Sequence, residues 1–138
     1  MLTTRRNILI EWGDCDPAGI VYFPRYFEMF DGCTAGLFAA VGLAYEKIST
    51  DEMIVLPMVD IHSKFMIPSR FGDEVMVETT ITEFRRSSFL VRHRLYKGNE
   101  LAIECEETRV WAGKHPDDPR RLKGKAIPAE VIARFKEE

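Results

Sequence analysis

The stretch RYFEMFDGCTAGLFAAV, residues 25–41, carries a helical pattern of apolar residues. Its larger apolar side chains recur every three or four positions, as they do on one side of an α-helix. They are Tyr26, Phe30, Cys33, Leu37 and Val41, with Phe27 and Phe38 widening the stripe. Polar side chains are few. The pattern therefore predicts a long helix that the rest of the protein mostly encloses.

The residues on both sides of this helix follow the alternation that is typical of β-strands. Residues 7–12 predict a first strand that stops at Gly13. Gly42 is placed to end the helix, and residues 45–51 form either a turn or a second short helix. Four further strands are predicted, at residues 58–67, 73–84, 88–96 and 101–112. Residues 97–100, Lys-Gly-Asn-Glu, predict a hairpin between the last two strands.

The tail begins with a loop rich in proline and charge, residues 114–121, and ends in a short helix at residues 128–135. The order is therefore one strand, a long apolar helix, four strands and a small helix. An antiparallel sheet wrapped around the central helix satisfies this order, because both elements need apolar faces covered. We expect an α+β fold, and a chain of 138 residues predicts a single domain over residues 1–138.

Composition limits the classes of function. The net charge of -3 provides no general attraction to nucleic acid or anionic lipid. The apolar run at residues 8–10 is too short for a signal peptide or a membrane span, so we expect a cytoplasmic protein with no nucleic-acid or membrane partner. Three cysteines without CxxC spacing and three scattered histidines argue against a disulfide framework and against a metal site.

The segment GDCDPAGIVYF, residues 13–23, combines parts that suit acyl chemistry. Asp16 precedes a proline, which favours extended backbone, and Gly19 permits a tight turn. A helix that begins shortly afterwards would direct unpaired N–H groups towards this turn. Such groups polarise a carbonyl oxygen, while a carboxylate attacks the carbonyl carbon or activates water. The alternative is that Asp14 or Asp16 only caps the turn.

The block GDCDPAGIVYFPRYFEMFD, residues 13–31, resembles the amino-terminal signature of the 4-hydroxybenzoyl-CoA thioesterase family of hotdog-fold enzymes. A second block, FRRSSFLVRH at residues 84–93, also resembles that family. The resemblance implies a hotdog fold and hydrolysis of an acyl-CoA thioester, with an aromatic acyl group such as 4-hydroxybenzoyl. It also implies a homodimer with active sites between subunits, or a homotetramer of two such dimers. No metal or redox cofactor is expected, since coenzyme A is part of the substrate.

The resemblance also assigns roles to residues. Asp16 matches the catalytic carboxylate, which acts as nucleophile on the thioester carbonyl or as general base on water. The backbone N–H of Phe23 matches the donor that polarises the thioester oxygen. The residues expected near the CoA phosphates are Arg85, Arg86, Ser87 and Ser88. By their position and not by the resemblance, Gly19, Tyr22 and Tyr26 near the start of the helix and His62 on the following strand are the residues expected to bind the rest of the substrate. His62 matches no family residue, and its alternative is a surface or satisfied histidine. Ser87 stands where a lysine might be expected.

Other interpretations stay open at this point. The enzyme could act on short or medium aliphatic acyl-CoA or on acyl-carrier-protein thioesters. A non-catalytic acyl-CoA-binding protein is the alternative from another class, and the intact Asp-Pro-Ala-Gly turn disfavours it. Arg85 and Arg86 could be a charged strand edge, although guanidinium groups suit phosphates. Cys15 lacks a neighbouring group that would activate a thiol.

Overall fold

The computed structural model describes residues 1–136. The strands are β1 (Thr3–Leu9), β2 (Met58–Phe65), β3 (Glu74–Phe84), β4 (Ser88–Lys97), β5 (Glu100–Val110), β6 (Ala112–Lys114) and β7 (Leu122–Gly124). The helices are α1 (Pro24–Ala40), α2 (Tyr45–Asp51) and α3 (Ala129–Lys136). A short 3₁₀ turn, Trp12–Asp14, lies between β1 and α1.

Five strands form one antiparallel sheet in the order β1-β3-β4-β5-β2, and α1 packs on it. This arrangement confirms the predicted α+β fold with an antiparallel sheet and a long helix. The predicted hairpin is present between β4 and β5, with Gly98 at a φ of 60°. Strands β1 and β2 are the two edges of the sheet.

The core lies between the sheet and α1. On β3, the side chains that point to one face, Val75, Val77, Thr79 and Ile81, are buried. One apolar cluster surrounds Phe38 near α3, and a second surrounds Phe30 under the first half of α1. A fully buried side chain of this size stabilises a fold by about 1.5–3 kcal/mol. The second cluster therefore holds the half of α1 that follows the Asp-Pro-Ala-Gly turn.

The first strand begins and ends earlier than predicted. It covers Thr3–Leu9 instead of residues 7–12, because its register with β3 pairs Thr3 with Thr80 and Leu9 with Glu74. An edge strand tolerates charged residues, and Arg5 forms an ion pair with Glu78 at 2.8 Å. The residues that follow Leu9 leave the sheet for the 3₁₀ turn.

Helix α1 is less enclosed than predicted. Six of its 17 residues are buried, because the sheet covers one side only. The other side carries mainly small and charged residues, among them Gly36, Ala39 and Ala40. Of the two readings of residues 45–51, the helical one is confirmed. Within residues 1–136, no single helix is long and apolar enough to cross a membrane, and α1 with α2 would qualify only as a pair bent by 68°.

The carboxyl-terminal region contains a ribbon that the sequence did not predict. The predicted strand at residues 101–112 ends as β5 at Val110, and buried Trp111 separates it from β6. Strand β6 pairs with β7, so Lys114 belongs to a strand and not to the predicted loop. Each of these strands has three residues, too few to show an alternation of apolar and polar side chains.

Candidate active site

Asp16 lies in the tight turn that connects the 3₁₀ turn with α1. The Asp16 N–H donates to the Ile20 carbonyl at 3.0 Å, and the Gly19 N–H donates to the Asp16 carbonyl at 2.9 Å. Gly19 has a φ of 82°, a conformation that residues with a side chain rarely adopt. The Asp-Pro-Ala-Gly sequence therefore closes this turn and places the half-buried Asp16 side chain on it.

The two carboxylate oxygens of Asp16 have different surroundings. Oδ1 accepts a hydrogen bond from the Ala18 N–H at 2.9 Å, which orients the carboxylate. Within residues 1–136, Oδ2 has no hydrogen-bond or ion-pair partner. Asp14 has the capping role, because its Oδ2 accepts from the Glu11 N–H at 2.9 Å. Asp16 thus has one oxygen available for a reaction.

The backbone N–H of Phe23 is available at the start of α1. The Tyr22 N–H donates to the Asp14 carbonyl and the Arg25 N–H donates to the Tyr22 carbonyl. Pro24 has no N–H, and in residues 1–136 the Phe23 N–H has no acceptor. Phe23 has helical dihedral angles, φ -52° and ψ -34°, so this N–H belongs to the positive end of the helix dipole. Such a donor favours an oxygen that carries negative charge.

Two cavities border the segment from Asp16 to Phe23. The first has a volume of about 400 Å³, and its lining includes Trp12, Asp16, Gly19 and Phe71. The second has a volume of about 310 Å³, and its lining residues are Ile20, Val21, Phe23, Tyr26, Phe65, Ile67 and Pro68. Asp16 therefore faces one cavity and Phe23 the other, and both cavities are largely apolar.

The two tyrosines predicted to contact the substrate lie in different environments. Tyr22 is exposed and packs edge-on against the ring of Phe23, with 5.8 Å between the ring centroids. Tyr26 is buried, and its hydroxyl accepts a hydrogen bond from the Ser69 N–H at 3.3 Å. The Ser69 carbonyl in turn accepts from the Val21 N–H at 2.9 Å. Tyr26 therefore ties the first turn of α1 to the loop that precedes β3.

His62 lies on the exposed side of β2. Its Nδ1 is 3.6 Å from Asp60 Oδ2, and its Nε2 is 3.7 Å from Glu106 Oε1. In the described structure it lines neither of the two cavities beside Asp16. Within one chain, His62 therefore lies beside two surface carboxylates and outside the linings of both cavities.

Of the four residues predicted to bind the CoA phosphates, Arg85, Arg86 and Ser87 form the turn between β3 and β4, and Ser88 is the first residue of β4. Arg85 pairs with Glu83 at 3.0 Å, and Arg86 is exposed. The backbone of the turn is fixed by the residue that follows β5, since the Ser87 carbonyl accepts a hydrogen bond from the Trp111 N–H at 2.7 Å. The structure thus presents two guanidinium groups on a fixed turn.

This turn lies far from Asp16 within one chain. The opposite end of β3 is the end near the site, where the Ile10 N–H donates to the Asp73 carbonyl. The 11 residues of β3 span about 33 Å at about 3.3 Å per residue. One chain by itself therefore does not bring Arg85 and Arg86 close to Asp16.

The aromatic wall of the first cavity is a feature that the sequence does not predict. Trp12 and Phe71 pack edge to face, with 5.6 Å between their ring centroids, and they are 77% and 61% exposed. Trp12 belongs to a segment that was interpreted as a strand end, and Phe71 belongs to a loop far along the chain. No periodic pattern connects two such residues, so only the folded structure reveals the pair.

The sequence is similar to a family of known proteins over most of its length. Residues 10–135 match the family model of the Thioesterase-like superfamily. The 4-hydroxybenzoyl-CoA thioesterase of Pseudomonas sp. (strain CBS-3) is 34% identical over 130 residues, which cover 89% of this chain and 90% of that enzyme. A 1,4-dihydroxy-2-naphthoyl-CoA hydrolase of Synechococcus elongatus is 30% identical over 88 residues, 63% of this chain and 65% of that enzyme.

The fold is also similar to solved structures of thioesterases. A mutant 4-hydroxybenzoyl CoA thioesterase complexed with 4-hydroxybenzoyl CoA aligns with a TM-score of 0.87 and 31% identity, over 96% of this chain and 98% of that chain. A gentisyl-coenzyme A thioesterase aligns with a TM-score of 0.81 and 27% identity, over 97% of this chain and 100% of that chain. The chain therefore belongs to the Thioesterase-like superfamily and has its hotdog fold. The predicted resemblance to the 4-hydroxybenzoyl-CoA thioesterase family is confirmed.

Proposed function

We propose that this enzyme hydrolyses an aromatic acyl-CoA thioester of the 4-hydroxybenzoyl-CoA class to the free acid and CoA. One observation carries the proposal: Asp16 Oδ2 and the Phe23 N–H, neither of which has a partner among residues 1–136, belong to the same short segment at the start of α1. The acyl group is proposed from the similarity to the Pseudomonas 4-hydroxybenzoyl-CoA thioesterase.

The reaction needs a polarised carbonyl and a carboxylate. The Phe23 N–H donates to the thioester oxygen and stabilises the negative charge that forms there, a contribution of about 3 kcal/mol for one good donor. Asp16 Oδ2 either attacks the carbonyl carbon, which releases the CoA thiolate and leaves an acyl-aspartyl anhydride for water to hydrolyse, or removes a proton from the attacking water. Because these groups suffice for the chemistry, we propose no metal or redox cofactor.

Isotope labelling tests whether Asp16 is the nucleophile. In a single turnover in oxygen-18 water, hydrolysis of the anhydride at its aspartyl carbon leaves the label in the Asp16 carboxylate. General-base catalysis, like hydrolysis of the anhydride at its acyl carbon, places the label in the released acid and leaves Asp16 unlabelled, so a labelled Asp16 is the result that assigns the nucleophilic role. Mass spectrometry of the Asp16 peptide reads the result.

A substrate panel tests the acyl group. We expect a higher kcat/KM for 4-hydroxybenzoyl-CoA and benzoyl-CoA than for butyryl-CoA, octanoyl-CoA or an acyl-carrier-protein thioester. Thiol release followed with a chromogenic disulfide gives the rates. A preference for aliphatic chains would contradict the aromatic assignment. CoA-ester binding without hydrolysis over hours would instead favour a non-catalytic binding protein.

We also propose that the enzyme is a homodimer, or a homotetramer of two dimers, with each CoA site shared between two chains. The distance of about 33 Å along β3 supports this, because Arg85 and Arg86 could join Asp16 only from a second chain. The edge strand β2 adds support, since Val59 is 62% exposed and Phe65, exposed at its end, lines the second cavity. Pairing of two chains through their β2 strands would cover an open strand edge and these apolar side chains.

Subunit mixing tests the shared site. Asp16→Asn and the double variant Arg85→Gln/Arg86→Gln are each assayed alone and after mixing by unfolding and refolding together. Random pairing makes half of the dimers mixed, and each mixed dimer has one intact site, so we expect about a quarter of the wild-type rate at low substrate. A mixture that is no more active than the two variants assayed separately would contradict a site built from two chains.

We propose the cytoplasm as the location of the enzyme. Cys33 and Cys105 are buried as free thiols, and Cys15 is also unpaired to another cysteine. A reducing compartment maintains cysteines in this state. Burial raises the pKa of the Cys105 thiol to about 12, which keeps it protonated and unreactive at neutral pH.

A further inference from the structure

A buried polar cluster joins α1 to the three central strands of the sheet. Its members are Thr34 of α1, Thr79 of β3, His93 of β4, and Glu107 and Arg109 of β5. None of the five is more than 4% exposed. No sequence pattern predicts that these five residues lie together. Buried polar groups are costly unless they are paired, so these contacts are specific features of the fold.

Glu107 is the centre of the cluster. Its Oε1 accepts from the Thr34 hydroxyl and from Arg109 Nε, each at 3.0 Å, and its Oε2 lies 3.1 Å from His93 Nε2. Burial alone would raise the pKa of Glu107, but the hydrogen bonds and charges of His93 and Arg109 outweigh burial and lower its pKa. The carboxylate is therefore ionised at neutral pH and accepts hydrogen bonds from all three neighbours.

The cluster is attached to α1 at two points one helical turn apart. The first point is the Thr34 hydroxyl, and the second is Asp31, whose Oδ1 accepts from Arg109 Nη2 at 2.6 Å. On the sheet side, His93 Nδ1 lies 2.8 Å from Thr79 Oγ1, and Arg109 Nη1 donates to the Leu56 carbonyl at 3.0 Å. Hydrogen bonds thus connect the helix to atoms that the sheet holds in place.

These hydrogen bonds fix the position of α1 along the sheet, which apolar packing fixes only weakly. Apolar contacts set how deeply α1 lies on the sheet but have no preferred direction, whereas hydrogen bonds are directional. Thr34 follows Phe23 by eleven residues, about 16 Å along the same rigid helix. The position of Thr34 along the sheet therefore determines the position of the Phe23 N–H. A displacement of about 1 Å at a catalytic group is enough to slow a reaction by about 10²-fold.

We propose that Thr34 is a positioning residue: its hydroxyl, bonded to Glu107, sets the place of α1 on the sheet and thereby aims the Phe23 N–H at the thioester oxygen. This inference rests on the proposed thioesterase reaction and adds to it a residue about 16 Å from the chemistry. Thr34 itself touches no substrate, since its side chain is fully buried between α1 and the sheet.

Two substitutions of the same type separate positioning from general stability. Thr34→Val and Thr79→Val each remove one buried hydroxyl near the same histidine ring. Thr34 is on α1 and bonds it to Glu107, whereas Thr79 is on β3 and meets α1 through a weak hydrogen bond with the Cys33 thiol. We expect both variants to melt at lower temperature by similar amounts. At 25 °C, where both are folded, Thr34→Val should lower kcat by about tenfold or more with KM within about twofold of wild type. Thr79→Val should keep kcat within about threefold of wild type.

Two further measurements complete the kinetic test. Thr34→Ser keeps the hydroxyl and should restore most of the lost kcat. The pKa values read from the pH profile of kcat/KM should stay those of wild type in Thr34→Val, because Asp16 is untouched. Normal kcat in Thr34→Val, or an equal loss of kcat in Thr79→Val, would overturn the positioning role.

A readout that needs no activity keeps this inference separate from the proposed reaction. In amide NMR spectra, Thr34→Val should shift the Phe23 N–H resonance, and Thr79→Val should leave it near its wild-type position. An unshifted Phe23 resonance in Thr34→Val overturns the inference. A wild-type protein that hydrolyses no thioester overturns the proposed function instead, whatever the spectra show.

Discussion

The hydroxyl of Tyr26 accepts a hydrogen bond from the backbone N–H of Ser69 at 3.3 Å, across 43 residues of sequence. The bond links the first turn of α1 to the loop before β3. In the same loop, the Ser69 carbonyl accepts a hydrogen bond from the Val21 N–H. The chain is therefore attached to this loop on both sides of Phe23. The loop therefore supports the segment that carries the proposed N–H donor.

Removal of the Tyr26 hydroxyl should lower the stability of the fold by a small and measurable amount. Tyr26→Phe keeps the buried ring but leaves the Ser69 N–H without its partner, so we expect the free energy of unfolding to fall by about 1–2 kcal/mol. Urea unfolding measures the change. Tyr22→Phe is the matched control, since Tyr22 is exposed and the loss of its hydroxyl should change stability by less than about 0.5 kcal/mol. Equal effects of the two substitutions would contradict a structural role for the Tyr26 bond.

The role of the Phe23 N–H can be tested with proline. Phe23 has a φ of -52°, close to the value that proline requires, so Phe23→Pro removes the N–H without a forced change of φ. We expect kcat to fall about 10²–10³-fold relative to Phe23→Ala, which loses the ring but keeps the donor. Steady-state kinetics compares the two variants, with circular dichroism to verify folding. Similar rates in both would remove this N–H from the reaction.

The arginine turn should affect CoA recognition and leave the chemical step unchanged. Arg85→Gln/Arg86→Gln removes two exposed guanidinium groups that suit phosphates, so we expect KM for acyl-CoA to rise about tenfold or more. The same variant should hydrolyse the corresponding N-acetylcysteamine thioester, which has no phosphates, at the wild-type rate. Arg120→Gln, which changes another exposed arginine, serves as the control. An unchanged KM for acyl-CoA would place the phosphates elsewhere.

Acid should remove the stabilisation that Glu107 provides. Because the pKa of Glu107 is lower in the folded protein than in the unfolded chain, its contribution is complete above its ordinary value of about 4.3 and is lost as the pH falls through the folded-state pKa. Glu107→Gln should be less stable than wild type by about 3 kcal/mol or more at pH 7. The difference in the free energy of unfolding between Glu107→Gln and wild type should shrink as the pH falls below about 4.3. Urea unfolding from pH 7 to pH 3 measures it.

Glu106→Gln is the control for this experiment. Glu106 is the preceding residue on β5, but it is much less buried than Glu107 and lies near exposed His62. Its substitution should change the free energy of unfolding by less than about 1 kcal/mol at any pH. A constant difference between Glu107→Gln and wild type across the pH range would show that the buried carboxylate does not titrate as proposed.

The parts of the fold that sequence analysis predicted depend on local patterns. The apolar stripe of α1 and the alternation on β3 each extend over ten or more residues, enough to identify the element and its buried face. The Asp-Pro-Ala-Gly turn is local too, because proline and glycine restrict the backbone at their own positions. Asp16 and Phe23 therefore could be placed near each other before the fold was known.

The parts that were missed depend on contacts between distant residues. Thr34 and Glu107 are 73 residues apart, and a glutamate on a strand carries no local sign that it will be buried. Arg94 likewise pairs with Glu104 on the next strand at 3.0 Å, a contact that no local pattern indicates. Such pairings follow from strand register, which hydrophobic pattern alone predicted only approximately.

The central claim is that Asp16 carries out the chemistry, and one comparison tests it most directly. Asp16→Asn keeps the acceptor for the Ala18 N–H but replaces the reactive oxygen, whereas Asp14→Asn makes the same change at the neighbouring capping residue. We expect kcat with 4-hydroxybenzoyl-CoA to fall about 10³-fold or more in Asp16→Asn and less than about tenfold in Asp14→Asn, with both proteins folded. A near-normal kcat in Asp16→Asn would contradict the account.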